Sequence, residues 1–168
     1  MPNLEASLKI TFNAYSEILE NWNKSYLPMK LNENEEKKVV YIPDENITQG
    51  LSGVKLKDDV GYIAIQQEVN KSGDIVSYVY KFISAEYEYL MCRKYSKTDD
   101  MGIFNFHFDK CENDFPHKPH ITVINRSIRY ISKEIKLGEF LEFIRDHFYV
   151  LKGGEFVKKA GNIWDNRF

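Results

Sequence analysis

Cysteine is scarce in this chain, and its two copies are well separated. Cys92 and Cys111 have no neighbouring cysteine with which to build a zinc knuckle or a dense disulfide framework. The simplest interpretation is two buried or free thiols, which suits a reducing compartment. The sequence therefore predicts a cytoplasmic protein that folds without cross-links.

Long apolar runs and an excess of one charge are also lacking. Charged residues interrupt the apolar pattern from Met1 to Leu31, which excludes a signal-peptide core or a membrane span there; they are Glu5, Lys9, Glu17, Glu20 and Lys24. We expect no membrane association. The 23 basic residues are balanced by 25 acidic ones, so nucleic-acid binding would need a local basic patch.

What the chain does contain is enough apolar material for one folded core. Of its 168 residues 43% are hydrophobic, with 11 tyrosines and 11 phenylalanines, which is too rich for a disordered protein. The length fits a single domain spanning residues 1–168.

The spacing of apolar residues predicts an α+β fold. A period of three to four from Leu4 to Trp22 predicts an amphipathic helix within an N-terminal helical segment, 1–31. Between 60 and 131, alternating residues predict an antiparallel β-sheet of about five strands. These strands are Val60 to Val69, Ile75 to Ser84, Glu86 to Ser96, Ile103 to Asp109 and His120 to Ile131, and Lys37 to Ile42 could add a short one.

The C-terminal part of the sheet region is followed by a second predicted helix. Residues 136–151 return to helical spacing, with a stripe that ends at Leu151. Gly153 and Gly154 are expected to stop this helix, because glycine adopts the positive φ found after helix ends. The apolar tail is expected to dock on the domain. The sheet is thus predicted to be flanked by an N-terminal and a C-terminal α-helix.

Histidine is distributed unevenly along the chain. None of the 4 histidines lies among the first 106 residues; they are His107, His117, His120 and His147. In the strand that begins at Phe104, a period of two places three phenylalanines on one face and Asn105, His107 and Asp109 on the other. A carboxylate near a histidine can fix its tautomer or raise its basicity.

Two of the histidines lie close together at the start of the next predicted strand. Pro116 and Pro119 restrict the backbone around His117 and His120, so a stiff loop is expected to present both rings. Three histidines and Asp109 could bind a divalent metal, but no compact zinc signature is present and we assign no metal ligand. The structural alternative is that these histidines satisfy backbone groups at a strand entry, beside a solvated sheet face.

Several residues in the same region could bind the phosphate backbone of a nucleic acid. The cations are Lys110, Lys118, Arg126 and Arg129, and Tyr130 follows directly. Such a face would suit RNA cleavage, in which one histidine takes the 2′-hydroxyl proton and another protonates the leaving oxygen. Arg126 and Arg129 could equally be exposed strand ends. His147 is expected to be a surface residue.

A stripe of aromatic residues on the second predicted strand allows two interpretations. Tyr78, Tyr80 and Phe82 alternate with Val79, Lys81 and Ile83. One face could therefore stack on bases, as in single-strand binders. The more common role of such a stripe is to form the core.

The C-terminal half resembles a known toxin family. The run FHFDKCENDFPHKPHITV, then RY and the helix LGEFLEFIRDHFY, is similar to the TumE-type toxin family of prokaryotic toxin–antitoxin systems. The matching positions are Phe108, Asp109, Pro116, His117 and His120. The resemblance implies a small cytoplasmic toxin that acts on nucleic acid and is neutralised by an antitoxin. The long N-terminal helical region and the spacing of the histidines depart from the family pattern.

The sequence leaves three functional hypotheses open. The first is a nucleic-acid-directed toxin or nuclease of a bacterial toxin–antitoxin or defence system, with His107, Asp109, His117 and His120 catalytic. In it Lys118, Arg126, Arg129 and Tyr130 bind the substrate. The second is a non-catalytic interaction module in a defence or phage-related complex, which binds another protein through the aromatic sheet or the Leu4–Trp22 helix. The third is a small-molecule or metal-dependent hydrolase. No cofactor is assigned.

Overall fold

A computed structural model describes residues 3–20, 30–33, 37–42, 53–84, 104–110, 120–123, 128–131 and 133–159. Side chains are described in 3–20, 39, 53–83 and 133–159, and the remaining strands are described by their backbone and pairing. Within these ranges the fold is α+β, as predicted, and all paired strands are antiparallel.

The N-terminal helix is present but shorter than predicted. Helix α1 spans Leu4–Ala14, and the Asn3 side chain caps it by accepting a hydrogen bond from the Ala6 backbone N–H at 3.2 Å. A single 3-10 turn, Ser16–Ile18, follows. Leu19 is then extended and forms an isolated bridge with Leu56. The helix ends early because pairing with Leu56 requires extended backbone at Leu19; Trp22 lies outside the described residues.

The C-terminal helix, α2, spans Leu137–Phe148, and the predicted apolar stripe lies in the core as far as Phe148. Glu139 caps its first turn by accepting from the Lys136 backbone N–H at 2.9 Å. Both helices pack together, since the Gly138 α-carbon faces Thr11 and Tyr15. Neither helix, nor any other in the described part of the chain, is long and apolar enough to cross a membrane.

The prediction for Gly153 and Gly154 was wrong. The chain leaves α2 directly into strand β9, Tyr149–Lys152, which pairs with β10, Glu155–Lys158. The two glycines, at φ 57° and 81°, are the central residues of this hairpin turn, where both positions require positive φ. Leu151, predicted to belong to the helical stripe, is therefore in a strand and is 60% exposed.

The main sheet contains eight strands among the described residues, so the predicted number of five was wrong. The strands are β1 Lys30–Glu33, β2 Lys37–Ile42, β3 Val54–Lys55, β4 Tyr62–Asn70, β5 Ile75–Ser84, β6 Phe104–Lys110, β7 His120–Val123 and β8 Ile128–Ile131. Their order is β1-β2-β4-β5-β6-β7-β8, and β3 also pairs with β4. Three of these strands precede the region predicted as sheet. Strand β2 confirms the short strand expected at Lys37 to Ile42, whereas β1 and β3 were not predicted.

A further difference concerns the second half of the sheet. The predicted strand from His120 to Ile131 is a hairpin of β7 and β8, in which Val123 lies opposite Ile128. The predicted strand from Glu86 to Ser96 lies outside the described residues. Among the described strands, β5 pairs directly with β6.

The aromatic stripe on β5 forms the centre of the core. Tyr78, Tyr80 and Phe82 are each no more than 1% exposed, and Phe82 stacks on Phe148 of α2 with ring centroids 4.5 Å apart. Helix α2 therefore covers this face of the sheet, and Leu8 and Phe12 of α1 belong to the same core. The stripe cannot stack on bases, because its rings are already buried in this core.

Candidate catalytic face of the sheet

The pairing of β5 with β6 determines which residues share a face. Phe106 lies opposite Phe82 and Phe108 opposite Tyr80, so the phenylalanines of β6 belong to the face covered by the helices. Asn105, His107 and Asp109 belong to the other face, as the alternation in the sequence predicts. We call this second face the outer face; it carries Lys81, Asn105, His107, Asp109, His120, Thr122 and Arg129.

The pairing of β6 with β7 brings predicted site residues to neighbouring positions. Asp109 lies directly opposite His120, and His107 lies opposite Thr122. Residues directly opposite each other on antiparallel strands have Cβ atoms roughly 4.5–5.5 Å apart, and diagonal neighbours roughly 7–8 Å. His107 and His120 are such diagonal neighbours. Two histidines and a carboxylate, contributed by two strands, therefore occupy one small area of the outer face.

Arg129 belongs to the same area. It lies opposite Thr122 on β8, in the row that also contains His107 and, on β5, Lys81. Over the four strands from β5 to β8, this row begins at Lys81 and ends at Arg129, and it continues on β4 with Ala64. The sequence predicted Arg129 as a phosphate-binding residue, and its register position is consistent with that role.

The strand register places Tyr130 on the opposite face of the sheet from His107 and His120. It lies opposite Ile121, which lies opposite Phe108 in the row of buried Tyr80. Tyr130 therefore belongs to the face covered by the helices, because a shift of one residue changes the face of a strand. Lys110, opposite Tyr78, belongs to that face too. His117, Lys118 and Arg126 lie outside the described residues.

The outer face differs in exposure along β4 and β5. Ala64 and Ile83 are buried, at 6% and 2% exposure, whereas Gln66 is exposed and Val79 is half-buried. Gln66 and Val79 lie in the row of Asp109 and His120. On these two strands, the row shared with the candidate catalytic pair is therefore the one that contains an exposed residue, Gln66.

Lys81 and Thr122 were missed as candidate site residues by sequence reasoning. Lys81 was noted only as a polar position within the aromatic stripe. Its place beside His107 follows from the pairing of β5 with β6, which no local pattern reveals because 19 residues lie between the two strands. Thr122 becomes relevant for the same reason, since it lies between His107 and Arg129 in the row.

His147 does not belong to the outer face. It lies on α2, and its Nδ1 is 2.9 Å from the Phe143 backbone oxygen, while its ring stacks on Phe143 at 4.1 Å. The ring is half-buried rather than fully at the surface as predicted. Since α2 packs on the aromatic face, the sheet separates His147 from His107 and His120.

A shallow groove of about 370 Å³ runs beside His147. Its lining residues are Lys133, Ile135, Glu139, Glu142, Phe143, Asp146 and His147. Lys133 is paired with Glu139 at 2.7 Å, and this hydrogen bond lowers the pKa of the Glu139 carboxyl. Asp146 is similarly paired with Arg145 at 3.1 Å. The charged groups of the groove thus stabilise the surface of α2 and do not converge on one point.

Metal ligation is not indicated where side chains can be examined. Among the described residues, no three histidine, cysteine or acidic side chains lie close enough together to hold an ion. The comparisons with known proteins add no family assignment, since no protein-family model, curated protein or solved structure matches this chain.

Proposed function

We propose that the outer face is a site for RNA cleavage by general acid–base chemistry, and that the protein is a cytoplasmic toxin-like nuclease of a bacterial toxin–antitoxin or defence system. One observation carries the proposal: the register places Asp109 opposite His120, with His107 on the diagonal. The toxin assignment rests in addition on the resemblance of the C-terminal half to TumE-type toxins, which implies an antitoxin as protein partner.

The proposed reaction divides the proton transfers between the two histidines. His120, with its cross-strand neighbour Asp109, acts as the base, because a carboxylate stabilises the imidazolium that forms. It takes the proton of the 2′-hydroxyl, whose oxygen forms a bond to the adjacent phosphorus. The bond from phosphorus to the 5′-oxygen breaks, and His107 protonates that oxygen. The products are a 2′,3′-cyclic phosphate and a 5′-hydroxyl, so no external reactant is consumed.

Arg129 has an electrostatic role in this proposal. Its register position is two strands from His107 in the same row. A guanidinium can bind a phosphate through two parallel hydrogen bonds, and it stabilises the negative charge that develops on the phosphate oxygens in the transition state. Thr122, between the two residues, supplies a further hydroxyl donor on this face.

The interaction-module hypothesis has less support from the described residues. Its two expected binding surfaces were the aromatic stripe and the apolar side of the N-terminal helix. Tyr80 and Phe82 are fully buried, and Leu8 and Phe12 of α1 are at most 3% exposed. Both surfaces are already used by the core.

A cleavage assay on purified protein tests the proposal. A single-stranded RNA labelled at its 5′ end is incubated with the wild-type chain and with His107→Ala, His120→Ala and Asp109→Asn. We expect each histidine variant to lose roughly 10²–10⁴-fold in rate, the usual contribution of one acid or base. His147→Ala, which removes a histidine on the other side of the sheet, should retain the wild-type rate.

The chemistry of the products makes the assay specific. A substrate with 2′-deoxyribose at the cleavage position should not react, because it lacks the attacking hydroxyl. The product of the normal substrate should carry a cyclic phosphate. Equal rates for the wild type and both histidine variants, or cleavage of the 2′-deoxy substrate, would show that the proposed mechanism is incorrect.

A further inference from the structure

We propose that Lys81 is a phosphate-binding residue of the outer face, and that Lys81 and Arg129 hold one RNA strand on either side of His107. This inference rests on the proposed function, because it assigns the direction in which the RNA crosses the site. The observation behind it is the row Lys81, His107, Thr122 and Arg129, in which each residue lies opposite the next on β5, β6, β7 and β8.

The spacing within the row determines how the two cations can act. Neighbouring strands are about 4.8 Å apart, so Lys81 and Arg129, three spacings apart, are separated by roughly 14 Å along the row. One phosphate group is much smaller than this distance. The two cations therefore bind different phosphates of one strand, and His107, one spacing from Lys81, lies between them.

The surroundings of Lys81 are compatible with this role. Its other cross-strand neighbour is the buried residue Ala64, and Lys81 itself is half-buried. A lysine can pack its aliphatic stem against apolar neighbours while the ammonium group reaches solvent. Asp109 lies on the diagonal from Lys81, and Glu68 lies on the same face further along β4. The acidic residue nearest to Lys81 in the register is thus the one assigned to orient His120.

The inferred direction of the RNA is across the strands. A substrate in this orientation passes from β5 to β8 and presents the phosphate between Lys81 and Arg129 to His107 and His120. An extended single strand suits this path, because its flexible backbone can follow the twisted surface of a sheet. A duplex is less suitable, since it holds its phosphates in a fixed curved arrangement.

Salt-dependent binding tests Lys81 separately from catalysis. The probe is a short fluorescein-labelled RNA with 2′-O-methyl groups throughout, which cannot be cleaved by 2′-hydroxyl attack. Its affinity is measured by anisotropy over a series of salt concentrations. One lost phosphate contact should reduce the slope of log affinity against log salt by about 0.7 for a single strand. We expect this change, with severalfold weaker binding at low salt, for Lys81→Gln.

Two variants serve as controls. Lys152→Gln removes the same charge from an exposed lysine of the β9–β10 hairpin and should leave the slope unchanged. Lys81→Arg retains the cation and should keep most of the slope. A Lys81→Gln protein that binds as tightly, and with the same slope, as Lys152→Gln would overturn the inference. An equal loss in Lys81→Arg and Lys81→Gln would also overturn it, because the effect would then not depend on charge.

Chemical footprinting of the wild-type protein provides a measurement that needs no variant. Bound 2′-O-methyl RNA should protect Lys81 from acetylation while Lys152 continues to react. Unchanged acetylation of Lys81 with saturating RNA would contradict the inference.

The outcomes for the two proposals differ. Lys81-dependent binding without cleavage of unmodified RNA would support the binding role and refute the nuclease. Cleavage of unmodified RNA by a protein whose RNA binding does not depend on Lys81 would support the nuclease and refute the binding role of Lys81. A wild type that neither binds nor cleaves RNA would refute both proposals.

Discussion

Tyr80 and Gln67 form a hydrogen-bonded pair of polar side chains inside the core. The Tyr80 hydroxyl donates to Gln67 Oε1 at 2.7 Å, and the two residues are 0% and 5% exposed. Burial is the main cause that raises the pKa of Tyr80 well above its usual value. The hydroxyl is therefore neutral at physiological pH and can donate this hydrogen bond.

Removing one partner of this hydrogen-bonded pair should destabilise the protein. Gln67→Leu leaves the buried Tyr80 hydroxyl without its acceptor, and we expect the free energy of unfolding to fall by about 1–3 kcal/mol. Urea unfolding followed by tyrosine fluorescence measures the change. The double variant Tyr80→Phe/Gln67→Leu removes both polar groups and should be more stable than the sum of the single variants implies. Strictly additive losses would show that the two side chains are not coupled.

At the scale of elements, three glycines have different structural roles. Gly153 and Gly154 provide positive φ in the β9–β10 turn, whereas Gly138 lies in the first turn of α2 with ordinary helical backbone. A Cβ atom at Gly138 would be 3.8 Å from Thr11 Cγ2 and 3.9 Å from the Tyr15 hydroxyl. Both are normal van der Waals distances.

Alanine substitutions at Gly154 and Gly138 should therefore change the free energy of unfolding in opposite directions. Gly154→Ala forces a Cβ into the left-handed region and should destabilise the protein by roughly 1–2 kcal/mol. Gly138→Ala reduces the entropy of the unfolded chain without a clash and should stabilise it by about 0.5 kcal/mol. Thermal unfolding of both variants beside the wild type checks the prediction. A stabilised Gly154→Ala would mean that the turn does not need positive φ.

Local patterns predicted some elements well for identifiable reasons. The α2 stripe, the start of α1 and strands β4 to β6 each contain enough periodic residues to show their type. The Gly-Gly pair was misread because positive φ is needed both after a helix and in a two-residue hairpin. The β7–β8 hairpin was misread as one strand because its two arms are only four residues each.

The candidate site was predictable only in part. Alternation within β6 correctly placed His107 and Asp109 on one face, since the side-chain period of a strand is two. Which residues lie beside them depends on strand order and register, which are non-local. For this reason the sequence could not show that Asp109 lies opposite His120, that Lys81 lies beside His107, or that Tyr130 is on the other face.

At the scale of the whole molecule, the two sides of the main sheet differ in the residues that they carry. The face covered by α1 and α2 contains the largest buried side chains, so the stability of the domain depends mainly on that side. The outer face contributes His107, His120, Asp109 and Arg129 from three neighbouring strands. Substitutions at these outer positions should therefore reduce the proposed RNA cleavage more than they reduce stability. A loss of the growth phenotype in such variants can then be attributed to the outer face and not to unfolding.

The toxin assignment predicts a growth phenotype that depends on the histidines. Induced expression of the wild-type chain in a bacterial host should arrest growth, and His107→Ala/His120→Ala should relieve the arrest because acid–base cleavage of RNA is lost. Growth is recorded at soluble protein levels matched by immunoblot, with His147→Ala as the control that should remain toxic. If the double variant is as toxic as the wild type, the arrest does not come from the outer face. If the wild type does not slow growth at all, the toxin assignment fails, and the RNA-cleavage assay alone then decides whether the outer face is catalytic.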